Sequence, residues 1–111
     1  MLAYERIGSG PPLVLLHGVG HRRQAWYPVL DRLVDHREVI LVDLPGHGES
    51  DPLVLDDRTG IEILRDELSG FFAQQGLDRP HIGGNSLGGR IALEAAVLGL
   101  ARSATALSPA G

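Results

Sequence analysis

Gly84-Asn85-Ser86-Leu87-Gly88-Gly89 is the stretch that decides how this chain is read. Before it, residues 80–84 are short and end in glycines, which suits a core strand. After it, residues 87–98 place Ile91, Ala92, Ala95 and Ala96 on one side of a helix. The chain must therefore pass from strand to helix with almost no loop, through Ser86. So tight a turn forces the central residue into a strained backbone conformation. Side chains two residues before and two after it would collide, which is why Gly84 and Gly88 stand there. The turn lifts the Ser86 hydroxyl above the sheet and points it, with the Leu87 amide, into one space beside a helix N-terminus. The plainer reading is that Ser86 only caps the helix behind it. A strand–turn–helix setting favours a nucleophile over a cap.

Working outward, Leu13-Val14-Leu15-Leu16 is a continuous apolar run that ends at His17-Gly18-Val19-Gly20. Residues 23–35 predict one helix, with Trp26, Val29, Leu30 and Leu33 at helical spacing. Val39-Ile40-Leu41-Val42 is a second buried-strand run, closed by Asp43. Residues 45–57, with Pro45, Gly46, Gly48, Asp51 and Pro52, read as a long loop. Ile61, Leu64, Leu68 and Phe71-Phe72 mark another helix, with Thr59 as its N-cap. Ala104-Thr105-Ala106-Leu107 fits a fourth strand, and residues 2–7 carry a fainter signal for one at an edge. Strand runs without polar alternation need a sheet covered on both faces. The expected fold is therefore α/β, a mostly parallel sheet with helices on both faces. Such sheets bind ligands at the carboxyl ends of their strands, where the motifs fall.

An acyl-transfer site needs backbone N–H donors aimed at the developing oxyanion. Leu87 supplies one after the nucleophile. Val19 is the candidate for the other, because Gly18 and Gly20 let that loop approach a substrate closely. His17, just before the glycine, reads as a buried scaffold residue, and His21 as a loop or surface residue. Trp26, Phe71 and Phe72 read as core rather than pocket.

The third motif is Asp43-Leu44-Pro45-Gly46-His47-Gly48-Glu49-Ser50. With it the sequence resembles the α/β-hydrolase family. A strand, H-G-x-G, D-x-P-G-x-G-x-S and G-x-S-x-G-G occur in that family's order, over residues 13–109. The resemblance implies that this long loop is structural, so Asp43 and His47 are turn and loop residues. It implies the N-terminal part of a serine hydrolase, a partial domain over 1–111, acting on an ester-like or other acyl carbonyl through an acyl-enzyme at Ser86. The family's acid and histidine follow the serine along the chain. Here every histidine precedes Ser86, and Ser108-Pro109-Ala110 occupies one position an acid takes in some relatives. The acid, the base and any cap segment are thus expected beyond residue 111, and the chain alone is expected to be inactive. An uncovered sheet face and a bare last strand should promote self-association. Serine at 86 argues against the branches that use a carboxylate nucleophile. The elbow somewhat resembles that of hydrolases cleaving C–C bonds.

Two other readings compete. Gly18-Val19-Gly20 between a strand and a helix, with Asp43 ending the next strand, resembles a dinucleotide-binding unit, although Arg23 falls where a third glycine belongs. A hydrolase-like scaffold without catalysis is the second. Composition narrows the rest. A net charge of -4 with mixed signs gives no case for nucleic acid or an anionic membrane. The absence of cysteine removes disulfides and thiolate chemistry, and suits the cytoplasm. No apolar run approaches the roughly 20 residues of a membrane span, and residues 1–6 lack a signal-peptide core. The five histidines show no ligand pattern, so no metal or cofactor is expected and the partner is a small acyl substrate.

Overall fold

A computed structural model describes residues 1–110. Its strands are β1 (Tyr4–Gly8), β2 (Pro12–Leu16), β3 (Glu38–Val42), β4 (His81–Asn85) and β5 (Ser103–Leu107). They form one sheet in the order β1-β3-β2-β4-β5. All pairs are parallel except β1, which runs antiparallel to β3 and aligns Tyr4 with Val42. The faintest strand of the sequence is thus real and lies at an edge. Its alternating exposure explains the weak signal, since only half its side chains face the interior.

The helices are α1 (Tyr27–Leu33), α2 (Gly60–Gln75) and α3 (Leu87–Val97). The single helix expected over 23–35 is instead a 3-10 turn, Arg23–Trp26, followed by the short α1. Pro28 explains the break. It has no N–H to give the Gln24 carbonyl, and its ring would clash there in a continuous α-helix. Tyr27 N–H bonds Gln24 O, an i to i−3 contact. Thr59 caps α2 as expected, and Glu62 reciprocates to complete a capping box. Gly76 ends α2 in the left-handed conformation, which lets Leu77 N–H reach back to Phe72 O.

The sheet separates two apolar clusters. Val14, Leu16, Ile40, Val42 and Ile82 face α2 and α3, meeting Leu68, Phe71, Phe72, Ile91 and Ala95. Leu15, Val39 and Leu41 face the other side, under Trp26, Leu30, Leu33 and Val34. Helices therefore lie on both faces. The second cluster is smaller, because only the 3-10 turn and the seven-residue α1 cover it.

Candidate active site

Ser86 joins β4 to α3 directly, with φ 54° and ψ −115°. A positive φ on a non-glycine residue costs of order 1–3 kcal/mol and persists only where the surroundings impose it. They do so here. Ser86 N–H bonds Leu107 O at 2.9 Å, while Arg90 and Ala110 N–H both bond Ser86 O at 3.0 Å. The glycines behave as the turn demands. A β-carbon on Gly84 would run into the Gly88 carbonyl, and one on Gly88 into the carbonyls of Leu16 and His17. The Ser86 side chain makes no capping hydrogen bond to α3. Its hydroxyl is left for something other than the helix, which removes the plainer reading.

The loop after β2 meets the elbow. A β-carbon on Gly18 would stand 3.2 Å from that of Ser86. Gly18 is therefore required for close approach rather than for a special φ, whereas Gly20 takes φ 80°. Val19 is exposed on this loop. Leu87, first residue of α3, has no intrahelical acceptor for its amide. The fold thus gathers Gly18, Val19, Gly20, Gly84, Ser86, Leu87 and Gly88 at the carboxyl ends of β2 and β4.

A pocket of about 320 Å³ opens beside the elbow, lined by His17, Gly18, His21, Ala25, Trp26, Asn85 and Leu107. Trp26 belongs to it, which corrects its reading as plain core, and His21 reaches it from the exposed loop where it was expected. Trp26 packs on the Leu15 cluster with part of its ring and faces the pocket with the rest. Helical spacing identified Trp26 as inward-facing but could not say that the inside there is a cavity. Phe71 and Phe72 are core.

His17 is buried, and its hydrogen bonds assign its tautomer. Leu44 N–H donates to Nε2 at 3.0 Å, so the proton sits on Nδ1, 2.7 Å from the Gly18 carbonyl. Burial pushes its pKa below the ordinary value, and the bond to Gly18 does not offset this. A neutral imidazole with both nitrogens engaged is scaffold. It ties the loop after β3 to the loop after β2, with His47 5.0 Å away between ring centres.

Asp43 is fully buried. Arg23 N–H donates to Oδ1 at 2.7 Å, Glu49 N–H donates to Oδ2 at 3.0 Å, and the Arg23 guanidinium pairs with Oδ2. Burial alone would raise this carboxyl. The two amides and the guanidinium outweigh it and hold the pKa below the usual range. Arg23 also bridges Glu5 at 2.8 Å and Glu49 at 3.0 Å. No sequence signal announced this hub. Both Asp43 oxygens are buried and bonded within the protein, and six residues plus a 3-10 turn separate β2 from α1. A helix N-terminus does not therefore meet the glycines as pyrophosphate binding requires, and the dinucleotide reading loses its support.

Among the described residues no group of three or more His, Asp or Glu is placed to hold a metal ion. No helix there is long and apolar enough to cross a membrane.

Comparison with known proteins agrees with this geometry. A model of the alpha/beta hydrolase family matches residues 13–111. Pimeloyl-[acyl-carrier protein] methyl ester esterase of Aeromonas hydrophila subsp. hydrophila is 38% identical over 96 residues, covering 86% of this chain and 36% of that protein. The 2-hydroxy-6-oxo-6-phenylhexa-2,4-dienoate hydrolase of Comamonas testosteroni is 35% identical over 101 residues, 87% of this chain and 35% of that one. A solved marine microorganism esterase superposes with TM-score 0.84 at 30% identity, over 95% of this chain and 40% of its own. The chain thus spans roughly a third of the length of these curated relatives. With the family's motifs in order on the family's sheet, and its model matched along almost the whole sequence, the chain belongs to the alpha/beta hydrolase family.

Proposed function

We infer that Ser86 is the nucleophile of a serine hydrolase and that these residues form the nucleophile-bearing part of its catalytic domain. The observation that carries this is the Ser86 backbone at φ 54°, held by three main-chain hydrogen bonds while the hydroxyl stays out of the helix cap. Strain of that kind concentrates at functional sites. Homology to an esterase and a dienoate hydrolase supports the same reaction class.

In this reading Ser86 Oγ adds to the carbonyl carbon of an acyl substrate, and its proton passes to a histidine. The oxyanion sits between the Val19 and Leu87 amides. The carbonyl reforms as the leaving group departs with the proton, leaving an acyl-enzyme. Water then adds to the acyl carbon and gives a proton to the histidine; as the acid leaves, the C–Oγ bond breaks and the histidine returns that proton to Ser86 Oγ. The pocket at Trp26 and Leu107 receives the apolar part of the substrate. His17 is not the base, because both its nitrogens serve the loops. The histidine and its acid come from sequence outside these residues, and the chain alone retains only the small activity owed to binding and the oxyanion site.

A fluorophosphonate probe tests this on the chain alone, on the chain continued into a C-terminal portion that supplies acid and histidine, and on Ser86→Ala of each. Labelling of the continued form only, abolished by Ser86→Ala, is expected. No labelling of either form would remove Ser86 as an activated nucleophile.

A further inference from the structure

At the end of the sheet opposite Ser86 lies a second pocket, of about 190 Å³. Its wall holds Pro11, Pro12, Asp78, Arg79, Pro80, His81 and Arg102. β4 runs from His81 to Asn85, so its length of about 3.3 Å per residue separates this pocket from the elbow by roughly 15 Å. The chain carries a net charge of -4, yet this wall is cationic. Arg6, Arg23, Arg58, Arg65 and Arg90 make ion pairs. Arg79 and Arg102 make none among the described residues, and neither does Arg37, whose charge with that of Arg102 acts on His81.

Backbone geometry holds these cations together. Arg79 sits in the left-handed region at φ 50°, immediately before Pro80. Arg102 N–H bonds the Pro80 carbonyl at 3.0 Å, which ties the two arginine-bearing turns. On the next rung His81 and Ser103 are register partners, and His81 Nδ1 lies 2.6 Å from Ser103 Oγ. With the Ser103 hydroxyl as donor to Nδ1, the ring proton lies on Nε2.

The geometry points to an anion site here, built by Arg79, Arg102 and His81, that takes the phosphate dianion of a small soluble phosphate monoester. Two guanidinium groups supply planar paired donors, the group arginine presents best to phosphate, and His81 Nε2 adds a third direction. Arg37 contributes charge from the neighbouring turn. Asp78 is the one acid on the wall, and it opposes binding.

Equilibrium dialysis of the chain with inorganic phosphate and with glycerol phosphate at constant ionic strength tests this. Sulfate, chloride and vesicles containing phosphatidic acid serve as comparators. Saturable binding of both phosphates is expected, weakened about tenfold or more by Arg79→Gln or Arg102→Gln, from the loss of a charged hydrogen bond. Asp78→Asn should tighten it, and Arg32→Gln, an unpaired arginine elsewhere, should leave it unchanged. Arg→Gln at these exposed positions leaves the apolar core untouched, and retention of the parent melting temperature confirms folding. Binding insensitive to Arg79 and Arg102, equal binding of chloride, or binding confined to the vesicles would each overturn the proposal.

Discussion

Arg23 holds the buried Asp43 carboxylate from two directions, by its own backbone amide at 2.7 Å and by its guanidinium. The pair closes a path across the fold. Asp43 directly follows β3, Glu5 lies in β1, and Glu49 lies in the loop after Asp43, and one side chain bonds all three. Removing one partner of a buried pair costs about 3–5 kcal/mol, because the other charge stays buried. Arg23→Met should therefore lose stability on that order in urea denaturation. The pH dependence is diagnostic. In the parent protein the Asp43 carboxyl is depressed, so its contribution is present above the unfolded value of about 3.9 and lost as pH falls through the folded value. Without the Arg23 guanidinium the carboxyl rises from that depressed value, because only the two backbone amides still oppose burial. The deficit of the variant should then shrink as pH falls, and Asp43→Asn in the same chain should restore part of the stability. An unchanged urea midpoint in Arg23→Met would sink this account.

His17 makes a second prediction of defined sign. Its pKa is lowered by burial, and its hydrogen bonds need the neutral ring. The unfolded chain therefore binds more protons than the folded one below about pH 6.5. The His17 contribution to stability is complete above that pH and is lost as pH falls toward the folded value. His81 is also lowered, first by burial and then by Arg37 and Arg102, so it shares the window. Urea midpoints between pH 5 and pH 8 should rise with pH. The slope should persist in His81→Gln and flatten in His17→Gln, which loses overall stability by leaving Leu44 N–H poorly matched. A flat profile in the parent would show that the ring is protonated without cost.

The glycines separate into opposite classes under one substitution. Gly84→Ala and Gly88→Ala would drive a methyl into backbone carbonyls that cannot swing away. Both should lose several kcal/mol, as overpacking against fixed backbone does. Gly48→Ala meets the Asp43 carboxylate at φ 52° and should also destabilise. Gly70 lies inside α2 with nothing within 4 Å of the added carbon. Gly70→Ala should stabilise by about 0.5–1 kcal/mol. Thermal melts of the four variants decide it, and destabilisation by Gly70→Ala would contradict the packing described for α2.

What could be read from sequence follows from how local each feature is. The elbow was legible because glycine spacing, a preceding strand and a following helix lie within a few residues. The N-cap at Thr59 was legible for the same reason, with Glu62 three positions on. The break in the helix over 23–35 was encoded by Pro28, but the many apolar residues at helical spacing outweighed that one signal. The Arg23 hub was not legible, since its partners stand 18, 20 and 26 residues away and meet it only once the sheet is assembled. The pocket face of Trp26 was hidden likewise, because spacing tells which way a side chain points and not whether the space there is filled.

β5 supplies the last prediction. Among the described residues it pairs with β4 alone, through Ser103 to Leu107, and its other edge carries unpaired backbone groups. Ser103, Thr105 and Leu107 alternate outward along it. On the face shared with α1, Tyr27 and Val29 stay exposed at 44% and 42%. An open strand edge and exposed apolar side chains both favour pairing with a second chain. We therefore expect this 111-residue chain to self-associate at micromolar concentration in light scattering coupled to gel filtration. Thr105→Lys places a charge on the outward face of that edge strand and should shift the distribution toward monomer without lowering the melting temperature. Continuing the chain so that β5 gains a neighbour should do the same. A monodisperse monomer with a cooperative melt from the unmodified chain would show that the edge and the face are already protected.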